Sequence, residues 1–154
     1  MSVSGPNGEE LPGAVLFACT MNAIRSPMAA SMMKHLYGTR VYVESCGVRA
    51  GTLDPLAVEV MDEIGIDLSH FHPKSFETLA DTSFDLIITL SPQARHKATE
   101  LTRTLAVEVT YWKVPDPSAC EGSREQRLMA YRDARDAILK CIKDQFSAGP
   151  SAAI

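Results

Sequence analysis

A chain of 154 residues, 45% hydrophobic and 22% charged, is long enough for one well-filled core and has the composition of an ordinary globular domain. Its net charge of −4 argues against a nucleic-acid partner, and no apolar run approaches membrane-spanning length. Four cysteines without short paired spacing do not form a disulfide framework or a zinc site, and with no charged-then-apolar leader a cytoplasmic protein is expected.

Residues 1–12, MSVSGPNGEELP, are polar, rich in Gly and Pro and without periodicity, and read as a flexible tail. A single domain over residues 13–147 follows, with a frayed tail at 148–154. Ala14 to Ala18 has the length of a buried strand. After a loop from Cys19 to Ser26, Pro27 to Tyr37 reads as a helix, with Ser26 as its N-cap, Met28, Met32 and Leu36 on its apolar face and Gly38 as its stop. Val41 to Cys46 is β-branched and aromatic enough for a second strand. Asp54 caps a helix beginning at Pro55 and running through Met61, which Gly65 closes. Phe84 to Leu90 is the clearest strand, Ser91-Pro92 opens a helix to about Thr102, and Val107 to Trp112 is a fourth strand. A rigid Val114-Pro115-Asp116-Pro117 loop precedes a long helix, Arg124 to Phe146, with Leu128, Tyr131, Ala134, Ile138 and Ile142 in one stripe.

Strands alternating with helices predict an α/β fold: a four-stranded parallel sheet with helices on both faces. Ligands in such folds bind beyond the carboxyl ends of the strands. Cys19 follows the first strand and Asp116 the fourth, so both fall on that rim. The loop between, Cys19-Thr20-Met21-Asn22-Ala23-Ile24-Arg25-Ser26, places a cysteine and an arginine five residues apart. A loop closing from a strand onto a helix N-terminus turns backbone N–H groups inward and adds the positive end of the helix dipole, a cradle for an oxyanion. There Arg25 would grip two oxygens with its planar fork. Cys19 would act as a nucleophilic thiolate, Ser26 would donate to its sulfur, and Asn22 suits a position with φ > 0. A bare Cys-x5-Arg is usually a strand-end cysteine and a solvated arginine; the apolar strand before it and Ser-Pro after it favour catalysis.

Cys19 to Pro27 resembles the phosphate-binding loop of the low-molecular-weight protein tyrosine phosphatases, C-x-x-N-x-x-R-S-P, with Ile24 where that family usually has a second cysteine and Met21 where it often has glycine. The resemblance spans the order of elements from Ala14 to about Phe146. It implies a phosphomonoester hydrolase, in the first place a protein tyrosine phosphatase, that works through a phosphocysteine without metal or cofactor. It further implies a phosphorylated protein or small phosphomonoester as substrate, phosphate or another oxyanion in the loop, and no nucleic-acid or membrane partner. Residues Thr20, Met21, Asn22, Ala23, Ile24, Arg25 and Ser26 would surround the phosphate. The family's general acid is an Asp-Pro pair after the fourth strand, which assigns that role to Asp116; by itself Pro-Asp-Pro is also ordinary turn chemistry. The aromatic pair that commonly follows is Ser118-Ala119 here. Ser45 and His70 match the supporting serine and histidine that brace the loop, although a strand-end serine and a loop histidine are more often simple polar groups.

Two other functions compete. Arsenate reductases of the same fold use the same loop but pass oxidation to further cysteines, the first at the end of the third strand; here Thr89-Leu90-Ser91-Pro92 has serine there. Such a reductase would need an external thiol. A non-catalytic phosphate-binding module would dispense with Cys19 or Asp116, and both are present. Cys46, Cys120 and Cys141 read as packing or surface thiols, any of which would protect Cys19 if it lay close enough.

Overall fold

The computed structural model describes residues 2–4, 10–79 and 83–146. In chain order the strands are β1 (Ser2–Ser4), β2 (Glu10–Pro12), β3 (Ala14–Cys19), β4 (Tyr42–Gly47), β5 (Leu86–Thr89) and β6 (Glu108–Tyr111). The helices are α1 (Arg25–Tyr37), α2 (Pro55–Asp62), α3 (Pro92–Leu101) and α4 (Arg124–Phe146), with short 3-10 turns at Phe76–Thr78 and Pro117–Ala119. Strands β4-β3-β5-β6 form the parallel sheet, as expected, with β3 paired on both sides.

Strand β3 shows why the sheet is covered twice. A strand points successive side chains to opposite faces, and from Val15 to Cys19 every residue is buried. Val15, Phe17 and Cys19 join one apolar cluster with residues of α1, α2 and α4. Leu16 and Ala18 join another with Cys46 and with Ala94 and Ala98 of α3. On α4 the stripe Leu128, Tyr131, Ala134, Ile138 and Ile142 is buried throughout. Trp112 follows β6 and lies between Phe17 (ring centroids 5.9 Å apart) and Phe146 (6.5 Å), its indole N–H donating to Gln145 Oε1 at 3.1 Å.

Capping follows the sequence at two helices and departs from it at a third. The Asp54 carboxylate accepts from Leu56 N–H and the Ser91 hydroxyl from Ala94 N–H, each with proline as the first helical residue. Gly65, at φ +79°, turns the chain out of α2 in the left-handed region that favours glycine. Helix α1, in contrast, starts at Arg25, so Ser26 lies inside the helix and is not its cap. The Ser26 hydroxyl is turned instead toward the buried loop beneath it.

A second correction concerns residues 1–12. Within that stretch Ser2–Ser4 and Glu10–Pro12 pair as an antiparallel ribbon, and Leu11 is fully buried in the main cluster. Three scattered apolar residues, Met1, Val3 and Leu11, are too little periodicity to announce a strand. The tail expected at 148–154 lies outside the described residues. Among the described residues no helix is long and apolar enough to cross a membrane.

Candidate active site

The loop between β3 and α1 has its carbonyls turned away from its centre. Val48 N–H donates to Cys19 O (3.0 Å), Arg49 N–H to Thr20 O (2.9 Å), Gly51 N–H to Met21 O (2.8 Å) and Asp54 N–H to Ala23 O (3.2 Å). The stretch after β4 thus straps the loop from outside. Gly47 allows this close approach: a Cβ there would lie 2.6 Å from Asn22 N and 2.8 Å from Met21 C. With the carbonyls held outward, the five N–H groups of residues 20–24 donate to no acceptor among the described residues. Five neighbouring unsatisfied donors at a helix N-terminus form an anion cradle.

Asn22 fixes the bend in that loop. It has φ 53°, the only non-glycine residue with positive φ among the described residues, and is fully buried. Its amide is satisfied on all sides: Nδ2 donates to Ser26 Oγ (2.8 Å) and Ser45 Oγ (3.1 Å), and Oδ1 accepts from Lys74 N–H (2.8 Å). Ser45 therefore sits where the sequence placed it. His70 does not join: its side chain is exposed and its Nε2 lies 3.8 Å from Asp67 Oδ2. The second brace is the backbone of Lys74, whose carbonyl also accepts from Gly47 N–H at 2.8 Å. A backbone contact has no side-chain signature, so the sequence offered His70 in its place.

Cys19 ends β3 with its Sγ 2.9 Å from Ser26 Oγ. Arg25 opens α1, and its Nη1 donates to Leu90 O and Val114 O, 2.9 Å each, at the ends of β5 and just past β6. Those two bonds anchor one end of the fork, while Nε makes no hydrogen bond among the described residues. Nη2 lies 4.0 Å from Asp116 Oδ2. Asp116 is half exposed, and its Oδ1 accepts from Ser118 N–H (2.9 Å) and from the Ser118 hydroxyl (2.7 Å). Thr20 Oγ1 lies 2.9 Å from Ser91 Oγ, tying the loop to the start of α3. Cys19, Thr20, Met21, Ala23, Ile24, Arg25 and Asp116 all line one pocket of about 540 Å³. Asn22, Ser26 and Ser45 lie buried behind it.

Two residues that sequence reasoning passed over complete the wall. Asp54 lines the pocket, and its Oδ2 accepts from the buried Tyr131 hydroxyl of α4 at 2.7 Å. Burial first, and then this carboxylate, push the Tyr131 phenol well above its usual range. Arg49 lines the same pocket. The signal for Asp54 was present, since an N-cap beside a strap can face a site; Tyr131 looked only like core.

All four cysteines are free thiols. Cys46 belongs to the cluster on the far face of the sheet, and burial, the largest cause, raises its pKa far above the ordinary thiol value. Cys19 is the one cysteine lining the pocket, so no second thiol stands there to pair with it.

Comparison with known proteins agrees with this geometry. The family model of the low molecular weight phosphotyrosine protein phosphatases matches residues 14–148. An arsenate reductase of Shouchella clausii (strain KSM-K16) is 35% identical over 129 residues, covering 84% of this chain and 91% of that protein. The structure of an arsenate reductase in the phosphate binding state superposes with a TM-score of 0.71 at 26% identity, covering 85% of this chain and 94% of the other. The tyrosine phosphatase Wzb from Escherichia coli K30, in complex with sulphate, shares the fold at a TM-score of 0.66 and 19% identity, over 87% of this chain and 99% of the other.

Proposed function

The chain belongs to the low molecular weight phosphotyrosine protein phosphatase family, and from that premise we propose that it hydrolyses phosphomonoesters, phosphotyrosyl proteins among them, through a phosphocysteine on Cys19. The observation that carries this reading is the strapped loop, with five unsatisfied N–H groups around a cysteine and an anchored arginine. In the first step the Cys19 thiolate attacks phosphorus in line with the ester oxygen. The S–P bond forms, the P–O bond breaks, and Asp116 gives its proton to the departing oxygen. Arg25 and the loop amides hold the three equatorial oxygens, where charge is spread in the transition state. In the second step water attacks phosphorus, passes a proton to the Asp116 carboxylate, and the P–S bond breaks to release phosphate and restore the thiolate.

The arsenate reductases among its relatives favour a second reading. Cys19 would attack arsenate and form a sulfur–arsenic adduct with loss of water. A thiol from outside the chain would then attack the sulfur, leaving arsenite and a mixed disulfide on Cys19. Because Ser91 follows β5 and no second cysteine lines the pocket, the two electrons come from Cys19 and that external thiol, one from each sulfur, and a second external thiol must reduce the mixed disulfide to restore Cys19.

Phosphate release from p-nitrophenyl phosphate in reducing buffer with EDTA, wild type beside Cys19→Ser, separates the readings. The phosphatase predicts turnover that survives EDTA and falls by about 10⁴-fold or more in the variant. Wild-type protein that releases no phosphate, yet forms arsenite from arsenate and added thiol, would replace it with the reductase.

A further inference from the structure

Among the described residues, none that lines the pocket is aromatic. Its exposed lining residues are Met21, Arg49, Thr52, Pro92, Gln93, Asp116 and Ser118. A flat aryl leaving group gains most from aromatic faces stacked on it, and this rim offers Met21 and Pro92 with hydroxyls, an amide and charges in their place.

The charges at the mouth are unequal in what they leave free. Asp54 is engaged by the Tyr131 hydroxyl and by Leu56 N–H. Asp116 is engaged by Ser118 and lies beside Arg25, and Arg25 is held by two backbone carbonyls. Arg49 lines the same pocket, and its guanidinium has neither a hydrogen-bond nor an ion-pair partner among the described residues. An exposed arginine is ordinarily just solvated. This one is placed differently, because its own N–H donates to Thr20 O at 2.9 Å. Its backbone is thereby fixed one hydrogen bond from the loop, and the fork projects from that anchor in a chain whose net charge is −4.

We infer that Arg49 is a specificity-determining residue. It recognises a second anionic group on the substrate and so favours, among the phosphomonoesters the site would accept, those of a polar alcohol bearing its own carboxylate or phosphate a few bonds from the ester oxygen. This deepens the phosphatase reading and rests on it. The guanidinium fork suits a carboxylate or phosphate two oxygens at a time, while Thr52, Gln93 and Ser118 supply hydrogen bonds to the chain between. Because the pair is exposed, its contribution is modest. It acts on ground state and transition state alike, and so appears in KM rather than kcat.

The test uses substrate pairs that differ in anionic charge beyond the phosphate. Propyl phosphate is compared with 3-(phosphonooxy)propanoate, and a phosphoserine peptide with uncharged flanks with one carrying acidic flanks, for wild type, Arg49→Gln and Arg49→Lys. The expected result is a KM about three- to fivefold lower for the anionic member of at least one pair. Arg49→Gln removes that ratio, Arg49→Lys keeps part of it, and 0.5 M salt weakens it. Preference in the first pair identifies a small-molecule source for the second anion, and in the second pair a protein. No preference in either pair, or a preference undiminished in Arg49→Gln, overturns the inference. Absence of Cys19-dependent turnover on every substrate would instead sink the phosphatase reading. The preference of Arg49 is then still measurable as binding of the same pairs to Cys19→Ser by calorimetry, where equal affinities for both members overturn it.

Discussion

Ser26 has one hydroxyl proton and two places to send it. Its Oγ lies 2.9 Å from Cys19 Sγ and 3.3 Å from Cys46 O, and accepts from Asn22 Nδ2 at 2.8 Å. With Cys19 as a thiol, sulfur donates to Ser26 and the serine proton goes to the carbonyl. With Cys19 as a thiolate, the serine proton turns to sulfur, so the resting and leaving forms are both satisfied without any heavy atom moving. Asp116, by contrast, has a half-exposed carboxylate, which in the proposed mechanism meets the substrate. Asp116→Asn should lower kcat on a phosphotyrosine peptide by about 10²–10³-fold, and much less on p-nitrophenyl phosphate, whose leaving group needs no proton. Equal losses on both would remove Asp116 from the acid role. At this scale the sequence picked out side chains that the structure brings together, Cys19, Arg25 and Asp116 on one pocket with Asn22 and Ser45 buried behind it. It misled at His70, because the contact that braces Asn22 comes from the backbone of Lys74.

Helices α2 and α4 are joined by charge as well as by packing. Arg132 and Arg135 both donate to the Glu63 carboxylate, and Arg135 Nη1 also donates to Val60 O at 2.7 Å. The hydrogen bonds from Arg132, ahead of those from Arg135, lower the Glu63 pKa from 4.5 to about 2. A carboxyl whose pKa is depressed on folding adds stability above its unfolded pKa and loses it as pH falls through the folded one. The stability gap between wild type and Glu63→Gln should therefore stay constant from pH 7 to about 5, then close as pH falls from about 4.5 toward 2. Because Glu63 is partly exposed, the gap at neutral pH should be only about 1 kcal/mol. Urea unfolding of both proteins across that range reads it, and a gap independent of pH would dissolve the link. This network was not legible beforehand: an apolar stripe tells which face of α4 is buried, but not which charged neighbours at its border meet another helix.

Over the whole molecule, the parallel four-stranded sheet and its two covered faces were legible, because β3 and β5 are apolar on both sides and the helices carry clear stripes and caps. Boundaries shifted by a residue or two where ladder pairing, not composition, decides the end. What the pattern concealed was the entry of the chain into the core. Leu11 is fully buried in β2, against the reading of residues 1–12 as a tail. Leu11→Ala should cost about 2–4 kcal/mol, measured as a lower urea midpoint with unchanged slope. A cost under about 0.5 kcal/mol, typical of surface sites, would restore the tail.

The outward-held carbonyls of the loop have a consequence in time. Amides that donate to the protein exchange with deuterated solvent only when that structure opens, whereas amides awaiting a ligand exchange freely until it arrives. Residues 20–24 should therefore exchange quickly in ligand-free protein and slow sharply when phosphate or tungstate is added. The amides of Val48, Arg49, Gly51 and Asp54 should already be slow and change little. If both groups slowed together, the oxyanion would be assembling its own receptacle rather than entering one that stands ready.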